Sequence, residues 1–127
     1  MQERYLYEYA VLRVVPRVER EEFINIGVVL YCQPKQFLKV RYELNQERLK
    51  AVFPDLDQEE LTGYCRSFAS ICEGDKKGGT LESMSAASRF RWLTAKRSTI
   101  LQVSAVHPGF CIEPDETLEN LMEKLVR

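Results

Sequence analysis

The sequence predicts an α+β domain: a mainly antiparallel sheet of about four strands, with helices packed on one face and residues 1–127 forming a single unit. Three observations predict it. The chain has 127 residues, the length of one domain. Leu, Ile, Val and Phe supply 36 of them, enough for a real core. The hydrophobic period also changes along the chain, from two in the first third to helical in the middle.

From Tyr5 to Val15 the chain is aromatic and β-branched, with apolar residues on both faces, as in a covered central strand. Pro16 ends it by removing a ladder donor. A charged turn over Arg17 to Glu22 leads into Phe23 to Cys32, where Ile24, Ile26, Val28 and Leu30 are expected on one face. Gly27 there signals a bulge or a close backbone approach. Gln33 to Gln36 makes a hairpin turn. Phe37 to Leu44 then alternates Leu38, Val40 and Tyr42 inward with Lys39, Arg41 and Glu43 outward, a half-exposed or edge strand.

The middle reads as helix. Asn45 caps a short one carrying Leu49, Val52 and Phe53, which Pro54 stops. Asp57 and Glu60 resemble a capping box ahead of Leu61, Tyr64, Cys65, Phe68 and Cys72, and Gly74 is placed to end that helix. Asp75 to Gly79 is a loop. It is not a phosphate loop, because Thr80 rather than Lys follows Gly79. A third helix is expected from Leu81 to about Leu93. A strand from Thr99 to Val106 should end in a turn at His107-Pro108-Gly109. A last helix begins near Asp115 and buries Leu118, Leu121, Met122 and Leu125, with acids first and Lys124 and Arg127 last, as its dipole favours.

Composition excludes several function classes. Eighteen Lys and Arg against nineteen Asp and Glu give a net charge of −1, unlike a generic basic binder of nucleic acid or acidic membrane. The longest apolar stretch, Ile24 to Cys32, is far short of a membrane span, and the first residues lack a signal-peptide apolar region. Cys32, Cys65, Cys72 and Cys111 contain no C-x-x-C pair, so buried thiols are expected rather than a metal site. A reduced, cytoplasmic setting and no cofactor follow as expectations.

Charge is laid out unevenly. No acid lies between Glu82 and Glu113, while Arg89, Arg91, Lys96 and Arg97 fall within nine residues, around Trp92 and next to Ser98. Two acidic clusters lie elsewhere: Asp55, Asp57, Glu59 and Glu60, and Glu113, Asp115, Glu116, Glu119 and Glu123. Arginine forks suit carboxylate and phosphate, so the acid-free segment is a candidate anion- or partner-binding site. The competing reading pairs those arginines with the protein's own acids. Nucleic acid fits poorly. Four cations make a weak phosphate anchor, and Phe90 and Trp92, two apart on a helix, face different ways.

An enzyme would most readily use His107, the sole histidine and a candidate proton shuttle, with Arg91 and Arg97 stabilising charge. Ser98 and Thr99 beside Arg97 are ordinary capping hydroxyls more often than nucleophiles, and no metal-carboxylate cluster is evident. Arg13, Arg17, Glu22 and Asn25 surround the first turn. Arg13 breaks an apolar strand and needs a defined partner, with Glu22 and Asn25 the candidates, making this a structural lock or a second site.

Taken together, Tyr7-Glu8-Tyr9 through Arg13, Arg20 to Leu30, Arg89 to Thr99 and His107-Pro108-Gly109 resemble a bacterial domain-of-unknown-function family, number three-thousand-thirty-seven. The resemblance covers nearly the whole chain. It implies a small stand-alone bacterial protein, of a kind often encoded beside a HipA-like serine/threonine kinase, and so suggests that kinase as a partner. The expected function is a non-catalytic interaction module whose segment Arg89 to Arg97 docks an acidic or phosphorylated surface. The alternative is a small enzyme or nucleotide- or phosphate-binding protein using Arg91, Arg97 and His107. Edge pairing through Phe37 to Leu44 offers a route to a homodimer, which the three outward charges oppose.

Overall fold

The structure, a computed structural model, describes residues 3–127. The first third is the meander that alternation predicts. Strands β1 (Tyr5–Val14), β2 (Ile24–Cys32) and β3 (Phe37–Tyr42) pair antiparallel in sequence order. The four helices are α1 (Gln46–Val52), α2 (Gln58–Glu73), α3 (Ala86–Leu93) and α4 (Pro114–Leu125). Side-chain caps fix three of their starts. Asn45 and Asp57 each accept a backbone N–H three residues on at 3.0 Å, and Ser85 does the same from Ser88 at 3.2 Å. The Ser85 cap is why α3 begins at Ala86 and not at Leu81.

The bulge foreshadowed by Gly27 is present and changes which residues face which way. Leu12 lies opposite Gly27 but Arg13 lies opposite Asn25, so the register slips by one residue. Ile24 and Ile26 therefore join Val29 and Tyr31 on one face, while Val28 and Leu30 join Cys32 on the other. This corrects the single face expected for Ile24, Ile26, Val28 and Leu30. Gly27 itself is pressed against β3: a Cβ there would sit 2.5 Å from the Arg41 carbonyl oxygen.

The far edge of β1 is shared by two short strands. β4 (Leu101–Val103) pairs with Leu12–Val14, and β5 (His107–Cys111) pairs with Tyr5–Tyr9. One longer strand and a terminal turn were the expectation; instead the strand breaks at Ser104, and His107-Pro108-Gly109 opens a fifth strand. Ser104 supplies the reason. Its N–H donates to the Val11 carbonyl at 2.9 Å, and its buried hydroxyl accepts from the Val11 N–H at 2.8 Å while donating to the Ala105 carbonyl. A side-chain oxygen thus replaces a ladder carbonyl, and the backbone is free to step sideways. Pro108 lies within β5 opposite Glu8.

The α+β class and the antiparallel sheet are as predicted, but the helices divide between the faces. On one side Leu49 of α1, Leu61 and Phe68 of α2, and Phe90 and Leu93 of α3 cover Ala10, Leu12, Val14 and Val29. On the other, Leu118 and Met122 of α4 close a smaller core over Val28, Leu30 and Cys32. All four cysteines are free and buried, as expected. Burial pushes the Cys65 thiol up to about 11 and that of Cys72 up to about 12, so both stay protonated near neutral pH.

Candidate functional site at the Trp92–Arg97 corner

The acid-free segment does not act as one basic patch. Arg89 is absorbed by the fold. It donates to the Met84 carbonyl, and its guanidinium packs on the end of α2 at Gly74, where φ is 76° and a Cβ would meet Cζ at 2.7 Å. There the cation faces the carbonyl end of a helix, the favourable pole. Arg91 is absorbed as well. Both of its terminal nitrogens donate to Glu8 on β1, at 2.8 and 3.0 Å, and this hydrogen bonding raises its pKa further. Lys96 and Ser98 are exposed, and among the described residues no ion pair or side-chain hydrogen bond engages either.

Arg97 differs from both. Its guanidinium lies over the Trp92 ring, 3.9 Å from the centroid, and donates to the Trp92 carbonyl. Among the described residues, no carboxylate lies within salt-bridge distance of it. Partial burial pushes its pKa below the ordinary arginine value, so the charge is held at a desolvation cost with no acid to offset it. The local sequence accounts for this placement. α3 ends at Leu93, and the Thr94 hydroxyl donates to the Phe90 carbonyl at 2.8 Å. The chain then doubles back, bringing Arg97 over the indole five residues earlier.

Arg97 and Trp92 form one lip of a cleft of about 250 Å³ between α2, the end of α3 and β4. Tyr64 and Phe68 come from α2, Leu101 and Val103 from β4, and Ser67, Thr99 and Gln102 add hydroxyl and amide groups. No lining residue is acidic. The arrangement suits an occupant with an apolar body and a negative end. Tyr64 from α2 and Trp92 from α3 remain 36% and 38% exposed, large aromatic surface that an occupant would cover.

The other candidates lie elsewhere. His107 stands opposite Tyr9 at the start of β5, its ring 5.4 Å from that tyrosine, which packs toward the α4 core. Glu8, which holds Arg91, is the next residue along β1 and so points to the opposite face. The structure therefore does not bring His107 together with Arg91 and Arg97. Arg13 finds neither Glu22 nor Asn25 as a hydrogen-bond partner. It stacks on Phe23 at 4.2 Å, while Glu22 pairs with Arg20 and the Asn25 amide donates to the Leu125 carbonyl at 3.1 Å. Arg13 and Asn25 are nevertheless cross-strand neighbours at the bulge. Arg17 and Glu22 line one open hollow with Pro54 and Asp55, which includes neither Arg13 nor Asn25.

The acidic clusters part in the same way. Asp115, Glu119 and Glu123 on α4 are engaged by Lys39, Arg41 and Arg127, whereas no ion pair involves Asp55, Asp57, Glu59 or Glu60 among the described residues. Sequence reasoning did not find the roles of Tyr64, Ser67 and Gln102 in the cleft. The usable signal was Tyr64, an aromatic residue one step off the buried stripe of Leu61, Cys65, Phe68 and Cys72. Leu6, on an apolar face of the first strand by alternation, and its cross-strand partner Phe110 are 50% and 68% exposed.

Among the described residues, no group of three or more His, Cys, Asp or Glu is placed to hold a metal ion, and no helix is long and apolar enough to cross a membrane. No curated protein and no solved structure matches the sequence significantly. A family model does, over residues 9–126, and that match spans both cores, the Ser104 break and every residue of the Trp92–Arg97 corner. The chain therefore belongs to the family described as Protein of unknown function (DUF3037).

Proposed function

We propose that this protein is a non-catalytic interaction module that docks an acidic or phosphorylated segment of a partner at the Trp92–Arg97 corner, with Lys96 and Ser98 alongside. One observation carries the reading: Arg97 is a half-buried cation on an aromatic platform, with no carboxylate of its own. A charge held this way gains more from an incoming acid than a solvated surface arginine does. The separation of His107 from the arginines removes the geometric support for the acid–base alternative. A HipA-like serine/threonine kinase, suggested by the family resemblance, is the partner to test, and the cytoplasm is the compartment consistent with four unpaired thiols.

Co-purification with such a kinase tests the proposal. A complex at micromolar concentrations that weakens at least about tenfold on Arg97→Glu is the expected result. No complex with both proteins folded, or one indifferent to Arg97, counts against it.

A further inference from the structure

Arg97 marks where a negative charge would go, and the cleft beneath it says what should accompany that charge. At about 250 Å³ the cleft is smaller than the roughly 300–1,000 Å³ typical of small-molecule sites, and it suits one large side chain. Its walls are Phe68, Leu101 and Val103 with the exposed faces of Tyr64 and Trp92. Arg97 is the one charged group in the lining, at the mouth. We infer that the cleft is a composite peptide site: it takes one aromatic side chain of a partner segment, and Arg97 takes a carboxylate or phosphoryl group next to it. This rests on the reading of the corner as an interaction surface and adds the recognition rule.

Three features favour a protein segment over other anions. The cleft offers apolar depth, which free phosphate would not use. Of its polar groups, the Ser67 hydroxyl can donate and accept, while the Thr99 hydroxyl and the Gln102 amide, which donate to the Leu101 and Thr99 carbonyls, keep acceptor oxygens for a peptide N–H. A nucleobase would come on a chain of phosphates, for which the lining offers the single cation Arg97. An anchoring aromatic buried beside an arginine is also how small interfaces concentrate their affinity.

Trp92 is the sole tryptophan, so its fluorescence reports the site directly. The full chain is titrated with short Gly/Ser-flanked peptides carrying Phe followed by two Asp, the same with Ala for Phe, the same with Asn for both Asp, and with a thymidine oligonucleotide. The Phe–Asp peptide is expected to shift the emission and to bind at least about tenfold tighter than either altered peptide. Ser67→Phe, at an exposed position and filling the cleft, should erase the preference for Phe over Ala. Arg97→Gln should erase the preference for Asp over Asn. Equal binding of the Phe and Ala peptides, or tighter binding of the oligonucleotide, overturns the composite site. A kinase complex that depends on Arg97 but shows no peptide preference overturns this inference alone. Absence of both the complex and any peptide binding overturns the module reading with it.

Discussion

On the α4 side of the sheet, Arg41 and Arg127 sit among carboxylates: Arg41 bonds Asp115 and Glu119, and Arg127 bonds Glu43, Glu119 and Glu123. At the opposite corner, Arg97 sits on an indole with no acid beside it. The two cores differ in the same sense. Three helices seal the larger one with Leu49, Phe68, Phe90 and Leu93, whereas α4 closes a narrow one and its rim is finished with ion pairs. The difference teaches that arginine here does two jobs. It neutralises acids on the α4 rim, as Arg91 does with Glu8 across the sheet, and at Arg97 it rests on an indole instead.

Phe90→Ala should have the largest effect, removing the biggest fully buried side chain from the three-helix side. A loss of about 3–5 kcal/mol in denaturant unfolding is expected. Met122→Ala, also fully buried but in the smaller core, should cost less, about 2–3 kcal/mol. If the two losses were equal or reversed, the α4 side would be the main anchor and the comparison would invert.

Arg127→Ala should destabilise less than either, and the deficit should shrink in about 1 M salt, where the Debye length is about 3 Å. Acid probes the same network. Arg127 first, and then Arg41, hold the Glu119 carboxyl below the ordinary carboxylate range. Its folded pKa is thus lower than its unfolded one, so its contribution is full above roughly pH 4.3 and is lost as pH falls through the lowered value. Thermal unfolding between pH 6 and pH 2 of the parent and of Glu119→Gln checks this. The variant should show the weaker acid dependence.

The smallest effect on stability should come from Arg97→Gln, within about 1 kcal/mol, since little more than one cation–π contact is lost. A larger loss would make Arg97 a structural arginine like Arg89 and would erase the contrast between the two regions.

Much of the fold was legible because local rules and packing agreed. The inward residues of Phe37 to Tyr42 and the cap at Asn45 survive unchanged, whereas Asp57 supplies one half of the expected capping box and Tyr64 leaves the α2 stripe for the surface. The face assignment beyond Gly27 failed because a bulge reverses side-chain parity, and periodicity locates a bulge without saying which residue it skips. The fifth strand failed because Ser104 replaces a main-chain acceptor with its hydroxyl, which no composition signal marks. At the candidate site, Trp92 and Arg97 were visible as types in an acid-free run. Arg89 and Arg91 looked equivalent to them, because Gly74 and Glu8 are distant in sequence and adjacent only in space.

Pro108 carries a consequence for assembly. It is the second residue of β5, the short strand at the sheet's margin, and has no N–H to give an arriving chain. An edge of five residues interrupted in this way is a poor template for main-chain zippering, whether into dimers or into fibrils. Contacts made at this end of the protein must then be read by side chains, with Phe110 and Leu6 as the exposed surface and the backbone silent.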